Sequence, residues 1–223
     1  MRAVLPAAGI GQRFRHYHKQ REQFEREGFT KHFLDVCGET IIGRLVRQLN
    51  DRGVTDVWVV GPDARYDIPG SQLFVPTQVP EHYDSNKILN SSELWEGRTL
   101  ILYGDVYMTD EGIDAVVADE RDWFAFGRWG SNRYTGTPSE LFGFVFTPDH
   151  FDAARRTLLD NARLVRARTM PRAAGWELYW GLLGDPNKWR IDRNTWLQVD
   201  DMSDDVDTPA QYKGLLEALG CSG

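Results

Sequence analysis

RTLILYGDVYMTD, residues 98–110, is an apolar run that stops on Gly104-Asp105. Leu100, Ile101 and Leu102 read as a buried strand, and the glycine-aspartate pair places a carboxylate at its C-terminal edge. That edge is where open α/β sheets bind ligands. DEGIDAVVADE follows as a helix with Thr109 or Asp110 at its N-cap. Working outward, AVLPAA and VTDVWVVG are two more strand-like runs. Between them TIIGRLVRQLNDRG places Ile41, Ile42, Leu45, Val46 and Leu49 on one helical face, with Gly53 to end it. SNKILNSSELWEG, PDHFDAARRTLLDNARLVRAR and GWELYWGLLG read as helices. WFAFGRW, ELFGFVFTP and TWLQVDD read as strands, and TPAQYKGLLEALG reads as a last helix with Thr208 at its cap, Pro209 at N1 and Gly220 after it. Strands alternating with helices predict an α/β fold with a mostly parallel central sheet flanked by helices.

The chain has 223 residues, 33 acidic and 26 basic, for a net charge of −7; at 41% hydrophobic it has the composition of a globular domain rather than a disordered or fibrous chain. An acidic balance argues against a broad grip on nucleic acid. The opening run is broken by Pro6 and two glycines, and no stretch approaches the ~20 apolar residues of a membrane span. Cys37 and Cys221 are far apart and form no C-x-x-C pair, so neither a disulfide framework nor a thiolate zinc site is expected. A cytoplasmic protein is the expectation, with no membrane partner and with a homo-oligomer left open. A single domain over 1–223 is expected, with a first half at 1–122, an aromatic-rich insertion at 123–195, and a closing strand and helix at 196–223.

Four segments carry candidate chemistry. LPAAGIGQRF (5–14) turns directly after a strand, and small residues at Ala7, Ala8, Gly9 and Gly11 let backbone amides approach phosphate oxygens. The same turn also serves as a plain strand-to-helix connection. The dinucleotide fingerprint wants glycine where Phe14 stands, and the Walker Gly-Lys-Ser/Thr is absent. In TKHFLDVCGETII (30–42), Lys31 with Arg13 is a candidate cation for a triphosphate. In the Gly104-Asp105 segment, Asp105 is a candidate metal ligand. In VDDMSDDVDTPAQY (199–212), most of the acidic run reads as solvated turn, but Asp207 before the Thr-Pro helix start is placed to meet Asp105 across the sheet edge. Two hard oxygen donors from separate segments suit Mg²⁺.

Taken in this order, LPAAGIGQRF, TKHFLDVCGETII, YGDVYMTD and DVDTPAQY resemble the nucleotidyltransferase superfamily with a GT-A-type fold. That group includes sugar-phosphate nucleotidylyltransferases, cytidylyltransferases and molybdenum-cofactor guanylyltransferases. Leu5, Ala8, Gly9, Gly11 and Arg13 fit its opening Leu-x-Ala-Gly-x-Gly-x-Arg pattern with one extra residue. Lys31 and a displaced Leu34 correspond to its Pro-Lys-x-Leu element, Asp105 to its Gly-Asp and Asp207 to its Asp-Thr-Pro. The departures are Thr30 in place of proline and a long stretch, RHYHKQREQFEREGF (15–29), before Lys31. NKILNSSELWEG loosely resembles the corresponding stretch of choline-phosphate cytidylyltransferase-like members.

The resemblance implies transfer of a nucleoside monophosphate from a nucleoside triphosphate to a small phosphorylated acceptor (sugar, polyol or choline phosphate), with release of pyrophosphate. It implies Mg²⁺ on Asp105 and Asp207, catalytic Lys31 and Arg13, and nucleotide contacts from Leu5, Ala7, Ala8, Gly9, Gly11, Arg13 and Gly104. Trp123, Phe124, Phe126, Trp129 and Tyr134, with Trp176 and Glu177, are candidates for the acceptor pocket, or else core. Two rivals remain open: a metal-dependent GT-A glycosyltransferase, disfavoured because Asp105-Val106-Tyr107 lacks the second aspartate of Asp-x-Asp, and a nucleotide-binding member without catalysis.

Overall fold

Ala3, Val4 and Leu5 are fully buried, and the strand they form has a neighbour on each side. The computed structural model describes residues 1–7, 30–76, 84–171, 173–185 and 190–221. In chain order its elements are β1 (Arg2–Pro6), a 3-10 turn (Lys31–Phe33), β2 (Asp35–Val36), β3 (Glu39–Thr40), α1 (Ile41–Asp51), β4 (Asp56–Val60) and β5 (Gln72–Phe74). Then come α2 (Asp84–Asn90), β6 (Thr99–Leu102), β7 (Val106–Tyr107), α3 (Asp110–Ala118), β8 (Trp123–Arg128) and β9 (Glu140–Phe146). The chain closes with α4 (Pro148–Arg166), α5 (Gly175–Leu183), β10 (Trp196–Gln198), β11 (Asp204–Asp205) and α6 (Pro209–Leu219).

Among the described residues the main sheet has seven strands in the order β10-β8-β9-β6-β1-β4-β5. All pairings are parallel except those of β9 with β6 and β8, so six strands run one way and β9 alone returns. The mostly parallel sheet expected from the alternation is therefore present, with β5 an addition that a three-residue run did not announce. The stretch 123–195 is not an insertion beside the sheet. It supplies β8 and β9, and Phe124, Phe126, Phe142, Phe144 and Phe146 are wholly buried. The many aromatics mark a two-sided interior strand pair, with stacked Phe144 and Phe146 rings 5.5 Å apart.

Local signals set the helix ends. The Thr40 side chain accepts from Gly43 N at the start of α1, and Gly53, at φ +76, ends the segment in the left-handed region that glycine tolerates. Thr208 caps α6 through Gln211 N, with Pro209 at N1 and Gly220 at φ +70. Among the described residues no helix is long and apolar enough to cross a membrane.

One sequence expectation is overturned. Cys37 and Cys221 are joined in a disulfide, with their Cα atoms 5.5 Å apart. Separation along the chain says nothing of separation in space: α6 packs back so that the Tyr212 hydroxyl donates to Asp35 O beside the β2–β3 hairpin, and Cys221 follows just past the end of the same helix. The pair removes the argument for a reducing compartment. With its ends 184 positions apart in sequence, it closes most of the chain. Replacing both cysteines by serine is expected to cost about 2–4 kcal/mol, roughly 5–15 °C of melting temperature at this size. Calorimetry with and without reductant checks this, and an unchanged midpoint refutes it.

Candidate active site

The C-terminal ends of β1 and β6 meet closely. Gly104 N donates to Pro6 O at 3.1 Å, and Ala7 N donates to Val60 O at 2.9 Å. A Cβ on Gly104 would lie 2.9 Å from Ile42 Cδ1 and 3.1 Å from Ala7 Cβ. Glycine is what lets Asp105 emerge beside Ala7, the first residue of the small-residue turn. Ala8, Gly9, Gly11 and Arg13, with the 15–29 stretch, lie outside the described residues. Leu5 is buried in the core opposite Val59, so its side chain serves packing.

The next aspartates arrive by sheet register. β11 pairs antiparallel with β7, setting Asp205 opposite Val106 and so beside Asp105. Two residues on, Asp207 precedes the capped start of α6, its N–H donating to Gln211 Oε1 at 2.9 Å. Lys31 comes from the opposite side on the 3-10 turn. Its Nζ lies 2.7 Å from Asp105 Oδ2, 2.8 Å from Asp205 Oδ1 and 2.9 Å from Asp207 Oδ1. The turn itself is pinned from below: the Tyr66 hydroxyl donates to Thr30 Oγ1 at 3.0 Å, and His32 Nδ1 lies 3.2 Å from both. The structure thus brings together Lys31, Asp105 and Asp207 from segments more than 70 residues apart, and adds Asp205, which sequence reading left among the solvated acids. No local signal marks it: Asp205 sits beside an identical Asp204 in a strand of two residues, and its place comes from the register with β7.

Burial and charge compete at Lys31, Asp105 and Asp205. Burial disfavours the Lys31 ammonium, but the three carboxylates outweigh it and hold its pKa well above the ordinary lysine value. Burial pushes the Asp105 carboxyl up, and Lys31, aided by His32 and Lys87, reverses this, leaving Asp105 well below the usual range. Asp205 goes the other way: burial, opposed by Lys31 but reinforced by Asp105, Asp207 and Glu140, raises it well above the carboxylate value. One ammonium does not neutralise three carboxylates, and Asp205 is the one that most readily takes up a proton to relieve the excess.

His32 is equally buried. Desolvation first, then the positive charges of Lys31 and Lys87, lower its pKa from 6.5 to about 4 against the opposing pull of Asp105. Its folded pKa lies below its unfolded value, so between the two the unfolded chain binds more protons. Stability from neutral His32 is therefore present above pH ~6.5 and lost as pH falls towards 4. Between pH 7.5 and 4.5 the loss is expected to be about 2–3 kcal/mol. Urea titrations of wild type and His32→Gln across that range measure it; parallel pH profiles would refute it.

The remaining acids of the 200–207 run are structural. Asp201 accepts from Thr109 Oγ1 and Ser203 N, and Asp200 accepts from Gln198. Asp204, adjacent to Asp205, is buried and faces Arg128, Asn132, Thr135 and Thr137. The candidate acceptor residues divide similarly. Phe124 and Phe126 are core, Glu177 is committed to the Ala174 N–H at the start of α5, and Tyr134 is exposed beside Arg133. Half-buried Trp129 meets Trp176 edge to face at 5.6 Å, and Trp176 stacks on Trp196 at 5.3 Å.

By sequence, no family model and no curated protein matches the chain. By structure, it shares the α/β fold of nucleotidyltransferases. It is similar to the CTP:phosphocholine cytidylyltransferase of Streptococcus pneumoniae, at 12% identity and TM-score 0.61, covering 98% of both chains. A putative glucose-1-phosphate thymidylyltransferase of Bacillus anthracis is similar at 11% identity and TM-score 0.62, over 97% of this chain and 94% of that one. A UDP-glucose pyrophosphorylase is similar at 12% identity and TM-score 0.59, over 98% and 97%.

Proposed function

We propose that the chain is a nucleotidyltransferase that moves a nucleoside monophosphate from a nucleoside triphosphate onto a small phosphorylated acceptor, releasing pyrophosphate. The observation carrying this reading is the meeting of Lys31 with Asp105, Asp205 and Asp207 beside Gly104 and Ala7, at the ligand-binding edge of a parallel sheet. The fold it shares with proteins named for such transfers adds support.

The donor set suits Mg²⁺. All three carboxylates are hard oxygen ligands, and they already converge on a cation, the Lys31 ammonium, at 2.7–2.9 Å. Among the described residues no three His, Cys, Asp or Glu side chains are grouped as a ready metal site; the three carboxylates face the Lys31 ammonium, and an ion there would draw further ligands from water and phosphate. Asp105, Asp205 and Asp207 are the residues that would hold it; bound, it supplies positive charge to phosphate oxygens. The rest falls to the chain itself. Lys31 meets charge on the phosphates, Gly104 keeps the cleft floor open, and the pinned 3-10 turn fixes where Lys31 starts. An ionised acceptor phosphate needs no protein base, so positioning and charge are sufficient.

The glycosyltransferase alternative loses ground at Tyr107. Where an Asp-x-Asp motif has its second acid, Tyr107 is buried in the core with the Arg44 guanidinium 5.1 Å from its ring centroid. Pyrophosphate release, measured with four nucleoside triphosphates and a panel of phosphorylated sugars, polyols and choline phosphate, tests the proposal. Release that requires both substrates is expected. Sugar-nucleotide hydrolysis without pyrophosphate, or nucleotide binding with neither reaction, would overturn it.

A further inference from the structure

An ammonium has three N–H donors, and at Lys31 each has its own carboxylate: Asp105 at 2.7 Å, Asp205 at 2.8 Å and Asp207 at 2.9 Å. The side chain is 8% exposed and Asp207 7%, so solvent screens the group little. A lysine in this state has no hydrogen left for a phosphate oxygen. To serve a triphosphate it must first release at least one carboxylate, which then gives up the ammonium it shares with its neighbours.

We infer that Lys31 is the resident counter-ion of the carboxylate cluster in the free protein, holding the place that a divalent cation takes when substrate loads. This rests on the reading of Asp105, Asp205 and Asp207 as the cation's ligands. The cation and the ammonium compete for the same oxygens, so the bare protein binds divalent metal weakly. Binding is strong only when the phosphates of a triphosphate receive the displaced ammonium. Two features equip Lys31 for the exchange. Its backbone is pinned by the Thr30–His32–Tyr66 contacts and by Ile41 N donating to Leu34 O at 3.0 Å. Its four-carbon stem is free to reorient an otherwise compact point charge. The carboxylates stay where the β7–β11 register and the α6 cap put them, so the lysine head is the part that moves.

The test uses Mg²⁺ and Mn²⁺ alone, without nucleotide, and reads thermal midpoint and calorimetric affinity. In chelator, Lys31→Met is expected to melt well below wild type, because three clustered carboxylates lose the ammonium they share. Divalent metal is expected to restore its midpoint, with affinity at least about tenfold tighter than wild type. The double variant Lys31→Met/Asp205→Asn keeps the net charge of the wild-type cluster and so guards against failure to fold; it too is expected to bind metal more tightly than wild type. Equal metal affinity in wild type and both variants would overturn the counter-ion role while leaving the metal site intact. No metal binding by either variant would overturn the inference and the metal-ligand reading together. A Lys31→Met midpoint in chelator equal to wild type would also overturn the inference.

Discussion

Asp105→Asn is expected to lower kcat at least about 10²–10³-fold at every Mg²⁺ concentration, the usual cost of losing one charge contact aimed at the reacting group. The fold is expected to survive. Asp105 is one of three carboxylates around a single ammonium, so neutralising it removes like-charge repulsion as well as attraction, and Lys31 keeps two partners. The amide fills the same volume beside Gly104, where contacts are tight. Separating the two effects is the purpose of the substitution: turnover falls by orders of magnitude while the melting temperature moves by a few degrees or less. Steady-state pyrophosphate release with saturating substrates, together with calorimetry on the same preparation, gives both readings. A rate near wild type would remove Asp105 from the metal and leave the carboxylate cluster as an ion-pair network. A collapse in stability would make the lost rate uninterpretable and place Asp105 among the structural acids.

Much of this arrangement is legible in the chain because its causes are local. A run such as Leu100–Leu102 declares a buried strand, Gly104 declares a close approach, and Thr208-Pro209 declares a helix start. Each of those fixes the carboxylate next to it. Lys31, Asp105 and Asp207 stand out on such local grounds, and the structure brings each of the two carboxylates within hydrogen-bond distance of the Lys31 ammonium.

What stayed hidden depends on partners far away in sequence. Asp205 is placed by pairing with Val106 across some hundred residues, in a strand only two residues long, too short for a periodic signal. Asp204 and Asp205 are identical letters facing opposite surroundings, and only the register says which is which. The Cys37–Cys221 bond, the burial of His32 beneath Tyr66 and the splitting of the aromatics into core and half-buried surface are all products of packing in the same sense.

Asp204→Ala is expected to have the opposite profile to Asp105→Asn. Asp204 and Arg128 form an ion pair at 2.8 Å whose side chains are 1% and 3% exposed. The same carboxylate accepts from Asn132 Nδ2, Thr137 Oγ1 and Thr135 Oγ1, and Arg128 also donates to Ser203 O at 2.8 Å. Removing the aspartate leaves a guanidinium buried without its counter-charge and three polar side chains without their acceptor. Breaking a buried pair from one side costs about 3–5 kcal/mol, a large fraction of the ~5–15 kcal/mol that holds a typical domain together. That corresponds to roughly 6–20 °C in melting temperature for a chain of this length. Most of the penalty is the stranded Arg128 charge rather than lost attraction, so Arg128→Met in the same chain is expected to recover part of it. Denaturant titration of the two single variants and the double variant yields the coupling energy directly. A double variant less stable than Asp204→Ala alone would show that Arg128 is held by its packing against Phe142 and its backbone contacts, with Asp204 contributing little. A loss below about 1 kcal/mol for Asp204→Ala would show the pair to behave as though solvated, and would remove the anchor that sets Asp204 and Asp205 facing opposite ways.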